Sequence, residues 1–206
     1  MAYESIWYFT DLPKKVVDIL TEDLEESFDD KMSDSKLMGN HQNKERRNSS
    51  NAWIPTHHWI GGFVWSYIER ANRENFLYDL RNIDGESIQY TQYEEGQFYG
   101  WHCDADIGSC YKPTAHSNHN TNELIQDYAH TNIELIRKLS FVVQLSDPDD
   151  YEGGNLQLMN GGQSYIAPRQ RGTIILFDSR IQHRVLKVTK GVRKSLVGWT
   201  VGPRWK

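Results

Sequence analysis

The second half of the chain is a series of short apolar strands separated by turns. Alternation of apolar and polar residues predicts strands at 139–146, 155–159, 164–167, 173–177, 182–188 and 193–201. The glycine pairs Gly153-Gly154 and Gly161-Gly162 mark two of the intervening turns. Many short strands at close spacing predict two packed sheets or a squat barrel, because each strand has one apolar face to bury.

The first half of the chain contains the predicted helices. Asp11 and Pro13 indicate the start of one helix, and apolar residues at helical spacing predict a second helix over 59–75. Strands at 86–93 and 98–104 follow. Helices first and strands afterwards predict an α+β fold in which the helices pack against one face of the sheets.

Length and composition fit one globular domain. The 206 residues are 38% hydrophobic and 12% aromatic, which is enough for one core. We expect a single domain over 1–206, with helical support and a polar loop in 1–85 and a strand-rich core in 86–206. A net charge of −5 favours neither nucleic acid nor a membrane surface as a partner. Two cysteines, no leader-like N-terminus and no long apolar run predict a cytoplasmic protein.

Two polar segments interrupt these elements. The segment before the second helix contains Arg46 and Arg47, which are expected to form a solvated basic turn rather than an anion site. Residues 105–137 are rich in Asn, His, Thr and Ser, with a helix predicted only near 124–128 or 133–137. Long loops commonly cover functional sites, so we interpret 105–137 as a lid-like insertion with solvated histidines.

His102 and Asp104 have the spacing of two metal ligands on one strand. Side chains two apart lie on the same face of a strand, while Cys103 points away. One imidazole and one carboxylate are two-thirds of a facial triad of two histidines and one carboxylate, and His183 is the natural third ligand. Simpler explanations are a surface turn in which Asp104 accepts a backbone N–H, and a hydrogen-bonded histidine at a strand end.

Arg193 begins the last predicted strand, ten residues after His183. Alternation places Arg193, Ser195, Val197 and Trp199 on one face, which would face the barrel interior. A buried guanidinium needs an anion, and an arginine with a hydroxyl two residues on suits a carboxylate. Taken alone, Arg193 is explained as well by a surface salt bridge. The ordered set of His-x-Asp, His and Arg-x-Ser is much rarer by chance than any of its members.

The order and spacing of several motifs resemble those of a known enzyme family. The motifs run from a tyrosine-rich strand near residue 90 to the end of the last strand. They are Tyr93-x-x-Gly96-x-x-Tyr99-x-x-His102-x-Asp104, Leu139-Ser140-x-x-Val143-Gln144-Leu145-Ser146, Tyr151-Glu152-Gly153-Gly154-Asn155-Leu156, Gly172-Thr173-x-x-x-Phe177, His183-Arg184-Val185 and Gly191-x-Arg193-x-Ser195-x-x-x-Trp199. This set is similar to the prolyl 4-hydroxylase-type 2-oxoglutarate- and Fe(II)-dependent oxygenases.

The resemblance implies a fold, a cofactor and a cosubstrate. The fold is a double-stranded β-helix, or jelly roll, formed by 86–206 as the catalytic core. By the resemblance, His102, Asp104 and His183 bind Fe(II), and Arg193 with Ser195 binds the distal carboxylate of 2-oxoglutarate. Ascorbate is expected as a reductant.

Three further residues belong to the site by the same resemblance. Tyr93 and Tyr99 match tyrosines that line the pocket in relatives, although Tyr99 is out of phase with His102 in a regular strand. Gln144 lies near the position of a tyrosine that helps to hold the same carboxylate in some animal prolyl hydroxylases. An amide there must substitute for that tyrosine or leave the role to other residues.

The resemblance implies a dioxygenase that hydroxylates a C–H bond, most simply of a peptidyl residue such as proline, and releases succinate and CO2. Its partners would be O2, 2-oxoglutarate and a peptide or protein. Two alternatives remain open. A zinc hydrolase can use two histidines and an aspartate, but it has no need of a buried clamp for a dicarboxylate. A non-catalytic jelly-roll module would bind a ligand without turnover, and the intact ligand set argues against it.

Overall fold

The computed structural model describes residues 7–35, 43–84, 87–105 and 135–205. Its strands are β1 (Trp7–Asp11), β2 (Ser33–Asp34), β3 (Arg47–Asn48), β4 (Ser50–Pro55), β5 (Asn82–Ile83), β6 (Ser87–Tyr93), β7 (Phe98–His102), β8 (Leu135–Gln144), β9 (Tyr151–Gly153), β10 (Leu156–Asn160), β11 (Gln163–Ile166), β12 (Thr173–Asp178), β13 (Gln182–Val185), β14 (Val188–Gly191) and β15 (Arg193–Pro203). The α-helices are α1 (Lys14–Phe28) and α2 (Trp59–Ala71), followed by a 3-10 turn over Asp29–Lys31 and a π-helical turn over Asn72–Phe76.

Two antiparallel sheets form the core. The larger sheet has the order β1-β12-β8-β15-β6-β4-β2, with β5 paired to β15. The smaller sheet has the order β11-β10-β13-β7-β3, and β9 and β14 form a separate pair. Non-sequential neighbours such as β7 and β13 show that the chain crosses repeatedly between positions in the sheets, as in a jelly roll. The predicted α+β jelly roll is confirmed.

The helices cover one face of the larger sheet. Every second residue of β8, namely Leu139, Phe141 and Val143, packs into a cluster with the apolar residues of α1 and α2. From α1 this cluster takes Val17, Leu20, Leu24 and Phe28, and from α2 it takes Ile60, Val64, Ile68 and Ala71. Helical spacing and strand alternation therefore bury the same core from both sides.

A second apolar cluster lies between the two sheets. Val142 of β8 and Ile175 and Phe177 of β12 face Leu158 of β10 and Val185 of β13. Polar residues of the candidate site alternate with apolar ones on these inner faces, so the site is set into the gap between the sheets.

Several predicted boundaries change. The helix suggested near 133–137 is wrong, because β8 begins at Leu135, where Leu135 and Ile136 are buried and pair with Pro203 and Gly202 of β15. The single strand predicted over 182–188 is divided into β13 and β14, which pair with different neighbours. The aromatic start of the chain forms β1, an edge strand on β12 that the sequence patterns did not indicate.

Residues 106–134 of the lid-like insertion, with their histidines, lie outside the described residues. Within the described parts of the chain, no helix is both long enough and apolar enough to cross a bilayer.

Candidate active site

His102, Asp104 and His183 lie together in the gap between the sheets. His102 at the end of β7 is paired with His183 of β13, and Asp104 follows directly after β7. Their candidate ligand atoms all lie within 4.8 Å of one another. Asp104 Oδ1 is 3.6 Å from His102 Nε2, and its Oδ2 is 3.2 Å from His183 Nε2. Two imidazole nitrogens and one carboxylate oxygen at this separation form a donor set that fits a divalent metal such as Fe(II).

Backbone carbonyls fix the orientation of both imidazoles. Nδ1 of His102 is 2.8 Å from the carbonyl oxygen of Gly100, and Nδ1 of His183 is 3.0 Å from that of Ile181. A carbonyl oxygen accepts only, so each Nδ1 carries the proton and donates it. Each Nε2 is then left with a lone pair when the ring is neutral, and both Nε2 atoms are directed at Asp104. Metal-binding histidines in proteins are commonly held in this way.

One side-chain hydrogen bond and two backbone hydrogen bonds hold Asp104 and the residue that follows it. Ser140 Oγ donates to Asp104 Oδ2 at 2.7 Å, and the backbone N–H groups of Asp104 and Ala105 donate to the Ser179 carbonyl oxygen at 2.9 and 3.0 Å. Burial raises the pKa of the Asp104 carboxyl, but the charge and hydrogen bond of His183 outweigh burial and hold the pKa well below its usual value. Asp104 is therefore a carboxylate at any physiological pH.

The pKa values of the two imidazoles shift in opposite directions, although the Asp104 carboxylate acts to raise both. Burial, together with repulsion from His183, lowers the pKa of His102 to about 4. Burial also acts to lower the pKa of His183, but the Asp104 carboxylate outweighs it, and the pKa is raised. Asp104 thus stabilises positive charge on His183, and a metal ion would compete with the proton for the His183 imidazole.

A β-bulge in β7 explains how Tyr99 reaches the same site. Val185 pairs with Tyr99 and His183 pairs with His102, so between these pairs one residue of β13 is opposite two of β7. The extra residue places Tyr99 and His102 on one face despite their odd spacing. The two rings stack with centroids 3.6 Å apart and an interplanar angle of 16°. Burial raises the pKa of the Tyr99 hydroxyl to about 12.

Arg193 approaches the same gap from the larger sheet. Only 1% of its surface is exposed. Its Nη2 donates to Gln144 Oε1 at 2.8 Å, its Nη1 donates to Ser195 Oγ at 3.5 Å, and its Cζ lies 5.6 Å from the centre of the Tyr93 ring. Among the described residues, no carboxylate lies within ion-pair distance, and Nε has no hydrogen-bond partner. A buried guanidinium with neutral partners only is a site for an anion.

Gln144 and Ser195 act on Arg193 rather than on the cavity. The amide nitrogen of Gln144 donates to the Pro168 carbonyl oxygen at 3.0 Å, which turns Oε1 towards Arg193. Neither Gln144 nor Ser195 belongs to the described residues that line the cavity. The position at which the resemblance suggested a carboxylate contact is thus occupied by a residue that orients the guanidinium.

A cavity of about 220 Å³ joins the metal-ligand cluster to Arg193. Its apolar wall includes Val142, Phe177, Val185, Val197 and Trp199. The Nε1 of Trp199 is buried and has no hydrogen-bond partner in the described part of the chain. Val197, Trp199 and Arg193 share one face, as the alternation of β15 predicts.

Arg47 is a cavity residue for which the sequence interpretation was wrong. Arg46 is exposed, as expected of a solvated turn, but Arg47 is only 8% exposed and lines the cavity, so the prediction for Arg47 is wrong. The reason is that Arg47 lies in β3 and pairs with Tyr99 of β7, which turns its side chain inwards. The signal that was present is Arg47-x-Ser49, the same pattern as Arg193-x-Ser195.

Comparison with known proteins agrees with this geometry. The sequence profile of the 2OG-Fe(II) oxygenase superfamily matches residues 88–201. A PKHD-type hydroxylase of Synechococcus sp. (strain CC9311) is 41% identical over 61 residues, which are 30% of this chain and 28% of that protein. The chain spans less than half the length of the curated relatives it matches.

Solved structures show the same fold. A prolyl-4-hydroxylase of Pseudomonas putida superposes with a TM-score of 0.65 and 17% identity over 98% of this chain and 94% of that one. A prolyl hydroxylase of Trichoplax adhaerens, in complex with a peptide fragment of the hypoxia inducible factor oxygen degradation domain, superposes with a TM-score of 0.66 and 18% identity. The superposition covers 95% of this chain and 83% of that one. The superfamily profile spans more than half of the residues, from β6 to β15. This chain therefore belongs to the 2OG-Fe(II) oxygenase superfamily.

Proposed function

We propose that this chain is a 2-oxoglutarate- and Fe(II)-dependent dioxygenase that hydroxylates a C–H bond of a peptidyl residue, with proline as the first candidate. The observation that carries the proposal is the buried cluster of two histidines and a carboxylate beside a buried arginine with neutral partners. Proline is supported by the two similar structures, which are described as prolyl hydroxylases, one of them bound to a peptide. We also propose that the protein acts in the cytoplasm as one domain over 1–206.

In this proposal His102, Asp104 and His183 hold the iron. The carbonyl oxygens of Gly100 and Ile181 keep both Nε2 atoms aimed at one point, and Ser140 holds the carboxylate. An iron held by these three residues would still need further ligands, which a bidentate 2-oxo acid and dioxygen would supply. The protein contributes a fixed, dehydrated set of ligands.

Arg193 binds the distal carboxylate of 2-oxoglutarate. Gln144 and Ser195 take up two of its N–H groups and so fix the plane of the guanidinium. The free Nε–H and the remaining Nη–H groups are left to form the two parallel hydrogen bonds that a carboxylate accepts. Tyr93, 3% exposed, closes one side of this site with its ring.

When bound, Fe(II) and 2-oxoglutarate supply the oxygen chemistry, in which one atom of O2 enters succinate as CO2 is lost and the other enters the substrate C–H bond. The apolar wall formed by Val142, Phe177, Val185, Val197 and Trp199 excludes water from that reaction. We propose ascorbate as the reductant that restores Fe(II) after uncoupled turnover. A zinc hydrolase would leave Arg193 without a purpose, since hydrolysis requires no second anion site.

The test of the metal and cosubstrate roles is optical. Anaerobic addition of Fe(II) and 2-oxoglutarate is expected to give a weak visible charge-transfer band, which His183→Ala removes. His57→Ala is the matched control, because His57 is an exposed histidine outside the cluster and its loss leaves the band intact. Wild-type protein without the band, or an undiminished band in His183→Ala, contradicts the proposal.

The test of the reaction is mass spectrometry. Proline-containing peptides incubated with the protein, Fe(II), 2-oxoglutarate, ascorbate and O2 are expected to gain one oxygen, with one succinate formed per hydroxylation. Succinate without any oxidised peptide would retain the oxygenase but exclude peptidyl proline as its substrate.

A further inference from the structure

A second arginine in the cavity is built in the same way as Arg193. Arg47 Nε donates to Ser49 Oγ at 3.0 Å, and its Nη2 donates to Gln89 Oε1 at 3.2 Å. Its Cζ lies 4.9 Å from the centre of the Tyr99 ring. Each of the two arginines therefore has a serine hydroxyl two residues on, a glutamine carbonyl oxygen from another strand and a tyrosine ring. Gln144 lies on β8, which pairs with the strand of Arg193, whereas Gln89 lies on β6, in the sheet opposite β3.

The charge of Arg47 has no counter-charge in the described parts of the chain. Its hydrogen-bond partners there are the neutral groups of Ser49 and Gln89. Arg137, the third arginine of the cavity wall, differs, because its Nε donates to Asp84 Oδ2 at 2.6 Å. Asp104 is held by Ser140 and the two histidines. A nearly buried guanidinium with neutral partners only is costly to keep unless a ligand supplies the anion.

Arg47 lines the cavity and has N–H groups that its two hydrogen bonds leave unused. A guanidinium carries five N–H groups, and Ser49 and Gln89 take one each, which leaves enough donors for a two-pronged contact with a carboxylate. Gln89 itself lines the cavity beside Arg47. The guanidinium packs on the Tyr99 ring, which in turn stacks on the imidazole of His102. A ligand on Arg47 is therefore held one aromatic ring away from the metal-ligand cluster.

We infer that Arg47 binds a carboxylate of the primary substrate and so selects acidic substrates for this site. The inference rests on the proposed function, in which the distal carboxylate of 2-oxoglutarate belongs to Arg193 and its 2-oxo acid end to the metal. With both ends of the cosubstrate assigned, the anion for Arg47 comes from the molecule that is hydroxylated. Its carboxylate belongs to an acidic side chain next to the reacting residue or to a chain terminus.

The inference is tested by binding, without turnover. Protein loaded with Mn(II) and saturated with 2-oxoglutarate is titrated with two matched pairs of probes, and tryptophan fluorescence reports binding because Trp53 and Trp199 line the cavity. One pair is N-acetyl-aspartate α-amide with N-acetyl-asparagine α-amide, and the other is N-acetyl-proline with its amide. The carboxylate of at least one pair is expected to bind ten-fold or more tightly than its uncharged partner. A preference in the aspartate pair indicates a side-chain carboxylate as the ligand, and a preference in the proline pair indicates a chain terminus.

Variants assign the preference to Arg47. Arg47→Gln is expected to abolish this preference, and Arg47→Lys to retain part of it. Arg46→Gln is expected to leave it unchanged, because Arg46 is the exposed residue in the turn just before β3. Unchanged affinity for 2-oxoglutarate shows that the Arg47 variants are folded. Equal affinities within both pairs, no binding of any probe, or a preference that survives in Arg47→Gln overturns the inference. If the charge-transfer band forms but the probes show no carboxylate preference, the proposed function stands and the role of Arg47 is refuted. If the band does not form, the proposed function itself is contradicted.

Discussion

The two Arg-x-Ser sites of the cavity use the same groups in different structural settings. Arg193 lies on β15, which is paired on one side with β8 and on the other with β6. Arg47 lies on the two-residue edge strand β3, which is paired with β7 alone. The difference is one of constraint, since a central strand is fixed by two ladders and an edge strand by one. We therefore assign the invariable cosubstrate to Arg193 and the variable substrate to Arg47.

The largest effect is expected from removing the central arginine. Arg193→Met should weaken 2-oxoglutarate binding about 100-fold or more, as for loss of one partner from a buried charge pair. Arg47→Met should leave that affinity within about two-fold, because Arg47 serves another ligand in this comparison. Titration of the visible band, or calorimetry with Mn(II), measures both. Equal losses in the two variants would show that both arginines hold the cosubstrate.

The stabilisation of the protein by 2-oxoglutarate is a second test of the difference between Arg193 and Arg47. At a concentration 100 times its dissociation constant, 2-oxoglutarate added to Mn(II)-loaded protein should raise the free energy of unfolding by about 2.7 kcal/mol. Arg47→Met should retain this increase, and Arg193→Met should lose most of it at the same concentration. Denaturant unfolding with and without 2-oxoglutarate is the measurement, and an increase that persists in Arg193→Met would remove Arg193 from its proposed role.

The two glutamines offer a smaller and crossed test. Gln144→Leu frees Arg193 Nη2 and should weaken 2-oxoglutarate about ten-fold, as expected for one hydrogen bond to a charged group. Gln89→Leu should leave 2-oxoglutarate unchanged and weaken the carboxylate probes by a similar factor. Calorimetry measures the affinity of each variant for each of the two ligands. The assignment of one ligand to each arginine is contradicted if either variant weakens both ligands equally.

The serine hydroxyls are expected to contribute least. Ser195→Ala should weaken 2-oxoglutarate by about three-fold, since the 3.5 Å contact to Arg193 is long for a hydrogen bond. Ser49→Ala should weaken the carboxylate probes by a larger factor than Ser195→Ala weakens 2-oxoglutarate. The reason is that the contact between Ser49 and Arg47 is 3.0 Å. The reverse order of effects, measured by the same titrations, would contradict the geometric ranking.

Sequence patterns predicted one of these sites and not the other. The strand that carries Arg193 is long, and it follows His183 at a short distance, so the inward face of Arg193 could be derived from the two-residue period of a strand. Arg47 sits in a two-residue strand inside a polar segment, where no periodicity marks an inward face. Its orientation comes from pairing with β7, a contact between residues far apart in sequence.

Tyr99 illustrates a second limit. Regular alternation separates Tyr99 from His102, and only the bulge created against β13 brings their rings together. The α+β fold and the superfamily were predictable because glycine turns, alternation and spaced motifs are local signals. Bulges and edge-strand pairings are set by partner strands, and the chain alone does not display them.

The turn from Asp178 to Ile181 is hydrogen-bonded to two members of the metal-ligand cluster. The Ser179 carbonyl oxygen accepts from Asp104 and Ala105, and that of Ile181 lies against Nδ1 of His183. One short turn therefore acts as a common anchor for ligands from two places in the chain. Because Asp104 and His183 are both hydrogen-bonded to this turn, we expect a displacement of the turn to move the two ligands together.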